Sequence, residues 1–199
     1  MQYSVSIHGT ATRMEAPGAV ESILTVGWGT VITLKRPEPR QIGDLFPLWD
    51  IEHPGGWFHI TLPLTLTLAD AGKVRLESIT LFGEAKYCRI SRVHVWDGAD
   101  LLEQFNHLKL KGGFYNGSAI TFSKPHRVSS GLGISFYACA FQEDYYSDER
   151  ERAWDIKRDG PLPSAVLILS AAGVQVRVPD PPSILVTDLV KDFVKRFNP

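Results

Sequence analysis

Apolar and polar residues alternate along several tracts of this 199-residue chain. Between Trp57 and Leu68, the residues Phe58, Ile60, Leu62, Leu64, Leu66 and Leu68 fall on even positions, while Trp57, His59, Thr61, Thr65 and Thr67 fall on odd ones. Successive side chains of a β-strand point to opposite faces, so this spacing predicts a strand with one buried and one outward face. Arg92-Val93-His94-Val95-Trp96 reads the same way, with the valines inside and Arg92, His94 and Trp96 outside. At the N-terminus Tyr3, Val5 and Ile7 alternate with Ser4, Ser6 and His8. Three of the six histidines thus fall on the polar side of strands, and two of them, His59 and His94, have a tryptophan beside them that a purely solvated face does not need.

The pattern predicts strands at Tyr3–His8, Val20–Leu34, Trp57–Leu68, Val74–Phe82, Tyr87–Trp96, Leu132–Phe141, Ala165–Ser170 and Val174–Val178. Asp70-Ala71-Gly72 and Asp97-Gly98 read as turns, because Gly accepts positive φ and Asp bonds its own backbone. Ala171-Ala172-Gly173 reads as a tight hairpin joining the last two strands. Many short strands without helices between them argue for an all-β fold: one antiparallel β-sandwich, jelly-roll-like, spanning residues 1–199 as a single domain. Three segments interrupt it. A proline-punctuated loop runs from Arg36 to Gly56 and holds Phe46, Leu48 and Trp49; loops of that length are commonly functional. Residues 142–161 form a charged insertion of mixed sign, the mark of a solvated flap. Residues 183–199 read as a short amphipathic C-terminal helix, with Asp188 near its cap and Leu189, Val190, Phe193, Val194 and Phe197 on one side.

Composition removes several function classes. Net charge is −1, so no overall field attracts nucleic acid, and apolar residues make up 44%, enough for a good core. No apolar run approaches the roughly 20 residues a bilayer-spanning helix needs, and the start at Met1 lacks the pattern of a signal peptide; a cytoplasmic protein is expected. The two cysteines, Cys88 and Cys139, lie in strand-like segments without metal-type spacing and read as buried thiols, with a disulfide the other option.

The candidate chemistry is of three kinds. His8, His59 and His94 could converge on a divalent metal if their strands are neighbours, since three imidazoles leave a coordination position open; nothing in the sequence requires such a cofactor. Trp57, Trp96 and Tyr137, with Arg92 nearby and Trp49 in the long loop, form a candidate ligand-binding face, because amphipathic rings suit sugars, aromatic ligands and subunit interfaces alike. For acid–base catalysis the candidates are His59 and His94 with carboxylates: Asp97, Asp100 and Glu103 follow His94, and Asp50, Glu52 and His53 cluster in the loop. Asp97 before Gly98 reads equally as a turn residue. A G-x-S-x-G nucleophile elbow, a P-loop and a G-x-G-x-x-G are all absent from the sequence, and Ser135 falls inside a strand.

Ser6-Ile7-His8-Gly9-Thr10, Gly27-Trp28-Gly29-Thr30, Trp57-Phe58-His59-Ile60, Val93-His94-Val95-Trp96-Asp97-Gly98 and Gly131-Leu132-Gly133-Ile134-Ser135 together resemble a largely microbial family of small β-sandwich proteins with no assigned activity. The resemblance runs from about residue 4 to residue 141 and implies a β-sandwich. The charged insertion and the tail after Pro179 depart from it. Three functions fit these observations. One is a binding or assembly module using the Trp57/His59/Arg92/His94/Trp96 face, its partner a small molecule, a carbohydrate or a second copy. Another is a small-molecule enzyme with a His-based site under the 36–56 loop, and the third is a self-assembling structural subunit. Neither nucleic acid nor a membrane is expected as a partner.

Overall fold

The computed structural model describes residues 2–15, 17–35, 55–62, 74–140 and 164–177. The predicted C-terminal helix at 183–199, the charged insertion and Trp49 all lie outside these residues. The described chain is all-β and antiparallel, with eleven strands: β1 (Gln2–His8), β2 (Arg13–Met14), β3 (Val20–Val26), β4 (Gly29–Leu34), β5 (Gly56–Leu62), β6 (Arg75–Asp97), β7 (Asp100–Phe105), β8 (Leu110–Gly113), β9 (Ser118–Arg127), β10 (Leu132–Ala140) and β11 (Ala165–Arg177). Its only helical elements are 3₁₀ turns at Gly9–Ala11 and Pro17–Ala19. No helix among the described residues is long and apolar enough to cross a membrane.

The 23-residue strand β6 organises everything else. Its first half, Arg75–Lys86, pairs with β11, and β11 pairs in turn with β1 and β4. Its second half, Cys88–Asp97, pairs with β10, followed by β5 and then β2. The other edge of β6 takes β9, β8 and β7 in turn. Two limbs therefore share one spine. The crossing between them lies near Tyr87, whose φ of 56° is unusual for an aromatic residue. Both limbs contribute to a single core: Leu76, Ile79, Leu81, Val174 and Val176 from one, Phe58, Ile60, Val93, Val95, Ile134 and Phe136 from the other. Phe58 and Phe136 face each other across β5 and β10 with their rings stacked at 5.5 Å. Full burial of such a side chain contributes about 1.5–3 kcal/mol.

Several sequence expectations need correction. Val20–Leu34 is a hairpin broken at Gly27-Trp28, whereas the expected pair Val74–Phe82 and Tyr87–Trp96 is one continuous strand. The hairpin expected at Ala171-Ala172-Gly173 is not formed: β11 runs straight through, with Ala171, Ala172 and Gly173 opposite His8, Ile7 and Ser6 on one side and Phe82, Leu81 and Thr80 on the other. These small residues serve close packing between strands rather than a turn. A Cβ on Gly173 would press on the Val5 carbonyl and the Ser6 side chain. Nearby, a Cβ on Gly9 or Gly29 would run into the Leu169 carbonyl of the same strand. The Asp97-Gly98 turn is present, with Gly98 at φ 60°. Cys88 and Cys139 are buried and unbridged.

Candidate functional site

The outward face of the second limb is a small grid built by register. Trp57, Tyr137 and Arg92 are aligned across β5, β10 and β6; next come His59, Ser135 and His94; then Thr61, Gly133 and Trp96. Alternation within each strand turns all nine positions away from the core, because their neighbours Phe58, Ile60, Ile134, Phe136, Val93 and Val95 are fully buried. The rings touch. Trp57 lies 4.6 Å from His94 and 5.4 Å from Tyr137, centroid to centroid, and His94 meets Trp96 edge-on at 6.2 Å. The Arg92 guanidinium sits 4.8 Å over the Tyr137 ring, a cation–π contact. The Tyr137 hydroxyl accepts a hydrogen bond from the Gly55 N–H at 2.8 Å, which fixes the ring.

Ser135, only 6% exposed, is the polar hub of this face. The Trp96 Nε1–H can only donate, and it reaches the Ser135 Oγ at 3.0 Å. The Ser135 hydroxyl lies 2.7 Å from His59 Nδ1. On the far side of that ring, Nε2 is 3.4 Å from the Glu15 carboxylate, an acceptor. In the neutral imidazole these partners set the Nε2–H tautomer, with Ser135 donating to Nδ1. Glu15 arrives from the end of the two-residue strand β2, held by the bond from its own N–H to the Trp57 carbonyl at 3.1 Å. The pKa of His94 is lowered, first by burial and then by the Arg92 charge, so the neutral ring is favoured against Trp57.

Of the sequence candidates, the structure brings together Trp57, His59, Arg92, His94, Trp96 and Tyr137. His8 is elsewhere: it lies opposite Ala171, which pairs with Phe82, twelve residues along β6 from His94, and its Nδ1 bonds within its own turn to Thr10. Accordingly the three-histidine metal site does not form, and no group of three His, Cys, Asp or Glu among the described residues could hold a metal ion. Asp97 faces inward and away from the grid. Its two oxygens accept four hydrogen bonds, from the Ser129 N–H and hydroxyl and from the Ser130 and Gly131 N–H groups, at 2.7–2.9 Å. Burial alone would raise its pKa, but these donors outweigh it and hold the carboxyl below its ordinary value. It anchors the turn before β10 and is not placed to act on a ligand. Glu103 likewise pairs with His126 of β9, at 2.7 Å, and not with His94.

Ser135, Glu15 and Gly133 were missing from the sequence candidates. Ser135 and Gly133 share the parity of Tyr137, a signal that was present. Glu15 follows a strand too short to show any period. The Ser135–His59–Glu15 chain has the residue types of a nucleophilic triad, yet Ser135 is central in β10, where the ladders to β5 and β6 engage the backbone N–H groups that an oxyanion would need. The chain therefore orients His59 and Trp96.

No protein-family model matches this chain, and no curated protein matches it. Among solved structures it is similar to the C-terminal CBM6 of the marine laminarinase LamC from Zobellia galactanivorans. That likeness covers 86% of this chain and 99% of the other, with 8% identity and a TM-score of 0.36. At 8% identity it transfers no residue.

Proposed function

We propose that this chain is a ligand-binding β-sandwich module of jelly-roll type that holds a small molecule or carbohydrate on the Trp57/His59/Arg92/His94/Trp96/Tyr137 face. One observation carries the reading: half-buried rings in mutual contact on the outer side of a sheet whose inner side is already filled. Core packing gives those rings no reason to be there. A pyranose presents flat C–H faces to aromatic rings and hydroxyls to polar groups at their edges, and this grid offers both, with Arg92 and His59 at the margins of Trp57 and Tyr137. Gly133 leaves the position beside Trp96 without a side chain, which gives a ligand access to the indole. The fixed Trp96 and His59 lower the ordering cost of binding.

Calorimetry or affinity electrophoresis against soluble β- and α-glucans, xylans and mannans tests this. Wild type is expected to bind one class, and Trp57→Ala together with Trp96→Ala to weaken it by about 10- to 100-fold, since each ring contact contributes roughly 0.5–1.5 kcal/mol. Undiminished binding by the folded double variant, or no binding of any glycan or aromatic small molecule by wild type, would overturn the proposal.

A further inference from the structure

The strand β3 ends the sheet, paired with β4 on one side and with no described strand on the other. Natural edge strands are commonly guarded by lysine, proline, inward-pointing charge or a covering element. Among the described residues the only guard on β3 is an irregularity in its register between Val20 and Ser22, next to Glu21 at the start of the strand. From Ser22 to Thr33 the β3–β4 hairpin contains no Asp, Glu, Lys, Arg or His. Its edge exposes large apolar side chains on both faces: Leu24 is 59% exposed, Ile23 38%, and Trp28 at the hairpin tip 53%. Ile23 is opposite Ile32, which is completely buried, so β3 projects beyond the cover that protects its neighbour.

We infer that β3 is a dimerisation edge, which pairs antiparallel with β3 of a second copy to join the two sheets into one. The register follows from the hairpin. Only two residues separate Val26 from Gly29, so that closing pair bonds to itself. Alternation then turns the N–H and C=O groups of Ser22 and Leu24 toward β4, and those of Ile23 and Thr25 outward. A two-fold axis perpendicular to the sheet keeps each face on its own side. It places Leu24 against Leu24 of the second copy, while Ile23 and Thr25 exchange hydrogen bonds with their opposite numbers. This arrangement matches the outward donors and acceptors and sets the most exposed leucine against its own copy. Charge agrees with it: Glu21, the only ionic group on β3, falls opposite Gly27, so the two carboxylates lie at opposite ends of the seam. A second copy fits better than a charged peptide because the segment is neutral and its own complement.

The experiment is sedimentation equilibrium of the full chain across a range of concentrations, with Leu24→Lys and Thr25→Pro alongside. Leu24→Lys puts two positive charges face to face on the axis; Thr25→Pro removes an outward N–H and leaves the pairing with β4 alone. Circular dichroism and thermal melting establish that each variant is folded. Wild type is expected to be a dimer, and both variants to dissociate at least about tenfold more readily. A Leu24→Cys variant, with the native thiols buried, is expected to form a disulfide-linked dimer on mild oxidation. A monomeric wild type at high micromolar concentration would overturn the inference. So would a dimer that a folded Leu24→Lys leaves intact, because the copies would then meet elsewhere.

Discussion

The two limbs share one spine and one core, yet their outward faces have little in common. On the first, the outward positions across β1, β11 and the start of β6 are Ser4, Ser6, Gln175, Gly173, Ser78 and Thr80, with His8 and Phe82 in the next row and Val31, Val166 and Ile168 toward β4; Arg177 pairs with Glu77 at 2.8 Å, and Gln2 donates to the same carboxylate. On the second, equivalent positions carry Trp57, Tyr137, Arg92, His59, His94 and Trp96. Both faces come from the same alternation, and both cover equally apolar interiors. The requirement to fold therefore explains the inward residues of both limbs. It leaves the rings of the second unexplained, and function is to be sought there.

The largest effect on this contrast is expected from Asp97→Ala. It removes the acceptor of four hydrogen bonds that tie residues 129–131 to the end of β6, so the second limb is expected to lose about 2–3 kcal/mol in urea unfolding. The sign with pH is fixed. A carboxyl whose folded pKa is depressed contributes its stability fully above its ordinary value of 3.8, and that contribution disappears as pH falls through the folded value. The acid-side slope below pH 3.8 is expected to be shallower in Asp97→Ala; an unchanged slope would show that the carboxyl is not held down.

A smaller effect, and a sharper comparison, comes from one serine on each limb. Ser135→Ala strands the Trp96 N–H and frees His59 Nδ1, and is expected to cost about 1–2 kcal/mol. Ser78→Ala loses only a 3.4 Å bond to Gln175 and is expected to stay within about 0.5 kcal/mol. In nitrogen-15 spectra the Nε2–H tautomer of His59 is expected to lose its dominance in Ser135→Ala alone.

The smallest effect concerns His94. Its lowered pKa means that the unfolded chain takes up a proton before the folded one does, so stability falls as pH drops below 6.5 toward the folded value. Arg92→Gln removes the second cause of that shift. Proton NMR titration is expected to show the His94 midpoint below 6.5 in wild type and higher in Arg92→Gln. A midpoint unmoved by the substitution would leave burial as the only cause.

Much of this was legible in the sequence where strands lie over the core. Trp57–Leu62 and Arg92–Trp96 alternate strictly because one face is buried, and that is why the aromatic face could be read without a structure. The strands β7, β8 and β9 were missed because they line an edge. On β9 most side chains are exposed, and Pro125 interrupts it, a residue that sheets admit mainly at edges. What the sequence could not supply was the register between distant strands. His8 has the same local signature as His59 and His94, and only the pairing of β1 with β11 shows that it belongs to the other limb. The Ala171–Gly173 turn failed for a related reason: small residues signal a close approach as readily as a reversal, and alternation within one segment does not separate the two.

The position of β11 has a consequence for how the chain is made. It bonds to β1 and β4 from the beginning of the chain and to β6 from the middle, yet it occupies residues 165–177. During synthesis β1 and the first half of β6 wait for that partner, with Val5, Ile7, Leu76, Ile79 and Leu81 uncovered in the meantime. A nascent chain of this protein cannot close its first limb until the residues of β11, Ala165–Arg177, have been translated. Premature termination after Ala140 and before Ala165 thus releases an open sheet that has the ring-bearing limb's strands but lacks the strand that joins β1 and β4 to the spine. Such a product is a ready client for chaperones and proteases.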